Sequence, residues 1–446
     1  MTTPIADFVK KYALSDISRF HMPGHKGHSF LGCEAFDITE ISGADVLGDA
    51  SGIIAMSEAN ATSLFGTYHS FYSTEGSSLC IKAMLALIKK RTKGAKVKIL
   101  AARNAHKAFI YACALLDIDA KWIYPNDISH LCSCNISAKQ LDEELKLMAE
   151  PPAAVYITSP DYLGNVADVK GLSEVCHKHG VPLLVDNAHG AYLAFKAPSE
   201  HPIALGADMC CDSAHKTLPV LTGGAYLHVS KNYSIFSESE IRNALSLFAS
   251  TSPSYLILQS LDLCNAYLAD GYREKLGDFI AKIKALRNQL SDIGFAPLSD
   301  TEDLKLVFSQ NLCGYTGTEL SQHLSKNRIE AEYADKDILV LMLTPELEEK
   351  DFDRLLNAFS QLPSKKGTER SSLPQLKRSE RALSIREAIL SDSETILSRE
   401  AQGRICACPS VSCPPAIPIV VSGEVIDENT VALLDYYGVE KIDVIK

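Results

Sequence analysis

The sequence predicts an α/β protein whose large domain is a mainly parallel sheet, of the seven-stranded type, covered by helices on both faces. Two observations carry this. Short apolar runs alternate with helix-like stretches between about residues 75 and 230: VKILAARN (97–104), AAVYITSP (153–160), VPLLVDNAHG (181–190), ADMCCDSAHK (207–216) and GGAYLHVS (223–230). Strands buried on both faces read as near-continuous apolar runs, and strands separated by helices pair in parallel. Four of the runs also end in polar clusters: Arg103-Asn104-Ala105-His106, Thr158-Ser159-Pro160-Asp161, Asp186-Asn187-Ala188-His189 and Ser213-Ala214-His215-Lys216. The carboxyl ends of strands in an open α/β sheet line the ligand crevice, so the four clusters are expected to form one site.

With 446 residues, 46% of them hydrophobic and 22% charged, the chain exceeds what one compact core serves. Residues 1–45 form an N-terminal segment and 46–295 the large domain. A helix with apolar spacing over about 270–295, stopped at Gly294, leads out of it. The run LVFSQ (306–310), a helix at 317–326, the run ILVLMLTP (338–345) and a helix over about 346–361 make a small α/β domain at 296–363. PSKKGTERSS (363–372) reads as a linker. The C-terminal domain, 373–446, opens with a helix expected around 380–401 and continues into a cysteine- and proline-rich stretch, 403–426.

A formal net charge of −11 argues against a nucleic-acid binder, which needs a basic face to displace condensed counterions. The first twenty residues lack the apolar centre of a secretion signal, the thirteen cysteines are scattered and odd in number, and no apolar run approaches the roughly 20 residues that span a bilayer. A soluble, cytoplasmic protein without a membrane partner is expected. Cys132-Ser133-Cys134 and the trio Cys406, Cys408, Cys413 lack paired CxxC spacing, so no metal is expected.

Within the crevice the residue types point to one cofactor. Pyridoxal phosphate asks of a protein a lysine, a carboxylate for the pyridine nitrogen, an anion cradle and a planar side chain. Lys216 follows an apolar strand, where burial lowers an amine's pKa and makes it a nucleophile, although a lone lysine is ordinarily a surface residue. Asp186 closes the most apolar strand, where a pyridinium N–H would compensate its burial; a helix cap is the plainer reading. Ser73-Thr74-Glu75-Gly76-Ser77-Ser78 opens a helix whose free N–H groups suit a phosphate, and by itself is only a capped helix start. His106 could lie flat on a pyridine ring or cap a helix, and the hydroxyls of Thr251-Ser252-Pro253-Ser254-Tyr255 suit a phosphate or a cap.

With these residues assembled, the chain resembles the ornithine/lysine/arginine decarboxylase family of fold-type-I pyridoxal-phosphate enzymes. The motifs that carry the resemblance are FHMPGHKG (20–27), FYSTEGSS (71–78), RNAHKAF (103–109), TSPDYLGNVADV (158–169), DNAHGAYL (186–193), DSAHKTLPVLTGGAYLH (212–228), STSPSYL (250–256) and CPPAIPIVVSGEVI (413–426). The resemblance implies an aspartate-aminotransferase-like large domain with smaller C-terminal α/β domains. It implies that Lys216 holds the cofactor as a Schiff base, Asp186 pairs with the pyridine nitrogen and His106 stacks on the ring. Gly76, Ser77, Ser78, Ser213 and His215 match positions around the phosphate, and Ala188 lies with the cofactor contacts. His189 matches a family histidine beside the ring oxygen or the substrate carboxylate.

It also implies a homodimer with sites at the interface, Ser252 serving the partner's phosphate. The larger members' N-terminal wing has no room before HMPGHKG. The implied reaction is decarboxylation of arginine, lysine or ornithine to the amine and carbon dioxide, with Lys216 or His215 returning a proton to the α-carbon. A buried cation needs a paired charge, and Asp45 is the candidate for the substrate's distal group. Asn187, Asp161 and the tail depart from the family pattern, for the tail reads Cys406-Ala407-Cys408 where the family often has Ser-Ala-Glu. Another pyridoxal-phosphate reaction, or a non-catalytic regulatory relative, stays open, because the fold does not choose the bond broken.

Overall fold

The computed structural model describes residues 1–92, 96–125, 134–367, 377–411 and 418–446. Cys132, Cys413 and part of the linker at 363–372 lie outside them. Seven strands form the central sheet: β1 (His69–Ser73), β2 (Val97–Ala102), β3 (Ile118–Ile123), β4 (Ala154–Thr158), β5 (Leu183–Asp186), β6 (Met209–Asp212) and β7 (Ala225–Val229). Their order is β1-β7-β6-β5-β4-β2-β3. Strands β2 to β6 run parallel, and β7 runs antiparallel to both β6 and β1.

Every residue of β5, β6 and β7 is buried, as expected of strands covered on both faces. Alternate residues feed different cores: Cys210 joins the cluster containing Val185 and Leu172, whereas Met209 and Cys211 join the one containing Leu184 and Met84. Apolar runs do not mark the two edge strands. β3, IDAKWI, buries only some of its residues, and β1, HSFYS, hides its serines by hydrogen bonding, Ser70 Oγ meeting Thr67 Oγ1 at 2.7 Å and His228 Nδ1 at 2.8 Å.

The helix Tyr272–Asp292 leads to a small antiparallel sheet of β8 (Lys305–Ser309), β9 (Tyr333–Ala334) and β10 (Ile338–Met342), in the order β8-β10-β9. Helices Gly317–Lys326 and Glu349–Ser360 accompany it. In the C-terminal part the structure corrects one expectation. The helix around 380–401 is only Ile385–Leu390, started by a Ser384/Glu387 capping box, and β11 (Ser393–Leu397) follows. That strand pairs with β14 (Lys441–Ile445), and β12 (Ser410–Val411) pairs with β13 (Val420–Val421). No described helix is long and apolar enough to cross a membrane.

A buried ion pair ties this last unit to the large sheet. Arg103, fully buried just after β2, donates two hydrogen bonds to Glu424, 2.6 and 2.7 Å long, while its guanidinium lies against the rings of Trp122 and Tyr124. A bidentate pair between aromatic faces is the geometry that makes a buried guanidinium tolerable.

Candidate active site

The anion cradle lies between β1 and β6. Gly76, at φ +73°, precedes the helix Ser77–Arg91, and its N–H is bound to Gly223 O at 2.7 Å. Gly223 approaches so closely that a Cβ there would meet Thr74 O at 2.8 Å. The first N–H groups of a helix have no intrahelical acceptor. A Cβ on Gly76 would meet only Ser78 N, at an ordinary 3.9 Å, so it is the positive φ and not lack of space that asks for glycine here. Ser213 Oγ, arriving from the end of β6, donates to Ser77 Oγ at 2.7 Å. The structure thus brings Gly76, Ser77, Ser78 and Ser213 together as a hydroxyl-rich, positively polarised concavity suited to a phosphate.

The other end of the crevice holds the charged groups. Asp186 is buried at the end of β5, accepting from Tyr156 Oη at 3.2 Å and from Ala188 N at 3.2 Å, with the Cys211 thiol 3.7 Å away. Lys216, on the short turn Ala214–Thr217, places Nζ 3.0 Å from His189 Nε2. Desolvation lowers the Lys216 pKa and the nearby Lys305 cation adds to the effect, against the pull of Asp186 and Glu332. His189 is pushed well below the usual histidine value, first by burial and then by Lys305 and Lys216, and is neutral. His106 caps the helix Lys107–Leu116, its Nδ1 accepting from Ala108 N at 3.2 Å, and feels the charges of Asp186 and Lys216. Burial lowers its pKa as well, with Asp186 opposing. His215 is held differently, its Nδ1 bound to Gly224 O at 3.0 Å.

Not every residue of the strand-end clusters belongs to this site. Arg103 turns away to Glu424, and Asp161 is occupied with the backbone and side chain of Asn165, both at 2.8 Å. Asp45 is spent on backbone: its carboxylate accepts from the N–H groups of Val46, Ser51, Gly52 and Ile54. Burial works to raise its pKa, but those donors outweigh burial and lower it, so this carboxylate is a loop clamp. Ser252 sits exposed on its loop and makes no hydrogen bond to the cradle, although Ser250 N donates to Glu75 Oε1 at 2.7 Å next to Gly76.

Three residues that sequence reading passed over stand beside Lys216. Tyr162 packs edge-on against His189, centroids 5.3 Å apart, and its hydroxyl donates to Glu332 Oε1 at 2.8 Å. Lys305, buried in β8, donates to Asp161 O at 2.9 Å and lies 3.5 Å from Glu302. A lysine inside the apolar strand LKLVF was the one available signal, since a cation in a strand core needs a partner.

The donor set fits pyridoxal phosphate. Asp186 is a buried carboxylate whose hydrogen bonds in the described structure come from neutral donors only, which leaves it a partner for a pyridinium N–H. Ser77 and Ser78 open a helix toward a phosphate, and the Lys216 amine, with its lowered pKa, lies within the field of Asp186.

Comparison with known proteins agrees. Residues 3–313 match the family described as Orn/Lys/Arg decarboxylase, major domain, and residues 370–441 match Orn/Lys/Arg decarboxylase, C-terminal domain. An arginine decarboxylase of Halalkalibacterium halodurans is 30% identical over 97% of this chain and 92% of its own length. An arginine decarboxylase of Bacillus subtilis is 29% identical over 97% and 93%. Among solved structures, the constitutive lysine decarboxylase of E. coli superposes with a TM-score of 0.79 at 16% identity, covering 100% of this chain and 82% of that one. The lysine decarboxylase of Francisella novicida gives 0.82 at 17% identity, over 100% and 81%.

Proposed function

This chain belongs to the Orn/Lys/Arg decarboxylase family, and on that premise we propose that it removes the α-carboxylate of a basic amino acid, arginine first among the candidates, with pyridoxal phosphate as cofactor. The observation that carries the reading is the juxtaposition of Lys216 Nζ with His189 Nε2 at 3.0 Å and with the buried Asp186, whose charge acts on the amine. Arginine leads because curated relatives covered along nearly their whole length carry that name.

When bound, pyridoxal phosphate supplies the electron sink for the broken bond. Gly76, Ser77, Ser78 and Ser213 would hold its phosphate, Lys216 its aldehyde carbon, Asp186 its ring nitrogen and His106 its face. The carboxylate of Asp186 would favour a proton on that nitrogen. Lys216, with its lowered pKa, would be the residue to carry a proton to the substrate. His189 is its direct partner, whereas His215 is engaged with Gly224 O. Lys305 contributes by field, keeping His189 neutral and able to accept.

For the distal cation the candidate passes from Asp45 to Glu332. Glu332 is exposed, fixed by Tyr162 Oη, and its charge acts on the Lys216 amine. A guanidinium can take a carboxylate through two parallel hydrogen bonds, whereas an ammonium meets it as a point charge.

The reaction is tested by incubating the cofactor-loaded protein with arginine, lysine and ornithine and measuring carbon dioxide together with agmatine, cadaverine or putrescine. Stoichiometric amine and carbon dioxide from one of them is the expected result. Keto-acid formation without carbon dioxide would overturn the reading in favour of transamination.

A further inference from the structure

On the sheet face opposite Asp186, four side chains of metal-ligating type converge. Cys210 and Asp212 point the same way from β6, and His228 of β7 stands directly across from Cys210 in the register. His201 comes in from the loop before β6. His201 Nε2 lies 3.0 Å from Asp212 Oδ2 and 3.9 Å from Cys210 Sγ, and His228 Nε2 lies 3.3 Å from the same carboxylate oxygen. The two imidazole rings meet edge to face, and all four residues are 0–1% exposed.

With an N–H on each Nε2, His201 and His228 both donate to Asp212, and the Cys210 thiol lies 3.9 Å from His201 Nε2. Imidazole nitrogen, thiolate and carboxylate can all turn lone pairs toward a divalent cation, and the ligand atoms of His201, Cys210 and Asp212 all lie within 4.8 Å of one another. A thiolate and a carboxylate together carry the charge that such a cation cancels.

Outer contacts of the kind that orient ligands are in place. Ser70 Oγ holds His228 Nδ1 at 2.8 Å, and Asn187 Nδ2 holds Asp212 Oδ1 at 2.7 Å. His201 Nδ1 has no hydrogen-bond partner among the described residues, and its ring is held by Asp212 and by packing against Phe65 and His228.

We propose that His201, Cys210 and Asp212 form a buried structural site for a divalent cation of the zinc class, with His228 hydrogen-bonded to Asp212 behind them. Mixed nitrogen, sulfur and oxygen ligation excludes magnesium and calcium as occupants. On loading, Cys210 gives its proton to solvent. The site would brace the two strand ends that carry the cofactor residues, since Asn187 follows Asp186 and Asp212 precedes Ser213.

The test is metal analysis of the full-length protein produced in zinc- or cobalt-supplemented medium and desalted. About one equivalent per chain, with a thiolate-to-cobalt(II) charge-transfer band in the near ultraviolet, is expected. Cys210→Ser should abolish that band, and His201→Gln should lower metal content at least about tenfold. Metal content near background in the supplemented wild type overturns the proposal, as does a band that survives in Cys210→Ser. Should the variants fail to fold, X-ray absorption of the cobalt-loaded wild type decides: one sulfur among nitrogen and oxygen ligands supports the site, and any other sulfur count refutes it.

Discussion

The seven-stranded sheet and the small sheet of β8, β9 and β10 reach the crevice from different sides and bring different chemistry. The large sheet supplies Asp186, Ser213 and Lys216 from ends of fully buried strands, positions fixed by a ladder on either side. From the small sheet come Lys305, buried, and Glu332, exposed beside the short edge strand β9. The rigid sheet is suited to holding a cofactor, and the small one, with an exposed carboxylate, to reading what varies between substrates. Groups that must not move are built into the sheet interior; groups that choose a ligand sit where sequence can change cheaply.

That division is broken most severely at Lys216. Lys216→Ala should cut carbon dioxide release by a factor on the order of a thousand or more and remove the visible absorption of bound cofactor. Retained turnover would mean that the large sheet does not carry the chemistry.

Glu424→Gln comes next. It leaves Arg103 desolvated without its counter-charge, which should cost about 3–5 kcal/mol in denaturant unfolding. The pair Arg103→Met with Glu424→Met should recover much of that loss, because no buried charge is left over.

Glu332→Gln is expected to raise KM for the preferred substrate about tenfold to a hundredfold with a smaller change in kcat. An equal loss for a substrate without a distal cation would move Glu332 out of the recognition role and into the machinery of the large sheet.

The smallest effect is one of pH. Since desolvation and Lys305 lower the Lys216 pKa, the neutral amine forms at lower pH than in an ordinary lysine. Uptake of pyridoxal phosphate by the apoprotein, followed by absorbance, should rise with pH and level off below pH ~10.4, the ordinary lysine value. Lys305→Met removes a neighbouring cation, so the plateau should shift upward.

Much of this was legible in the sequence. The five apolar runs lie on β2, β4, β5, β6 and β7, and the polar residues after β5 and β6 gather as continuous runs feeding one crevice edge require. β1 and β3 were not, because an edge strand needs only partial burial and HSFYS satisfies its serines through partners distant in sequence. Asp45 misled for a related reason, since a carboxylate in a glycine-rich loop looks the same whether it faces a ligand or a set of backbone N–H groups. The grouping of His201, Cys210, Asp212 and His228 was invisible as well. Sequence cysteine clusters drew attention to Cys406 and Cys408, whereas this set exists only once β6 and β7 pair.

The clamp between Arg103 and Glu424 also sets an order of assembly. Its partners are 321 residues apart, so during synthesis the strand that leads to His106 emerges long before the carboxylate that neutralises its guanidinium. Domains fold from the N-terminus as they appear. Until residue 424 has emerged, Arg103 has no counter-charge against which to be buried. A chain ending before residue 424 would carry that flaw permanently, and so the last part of the polypeptide acts as a seal by which the ribosome's finished product differs from a truncated one.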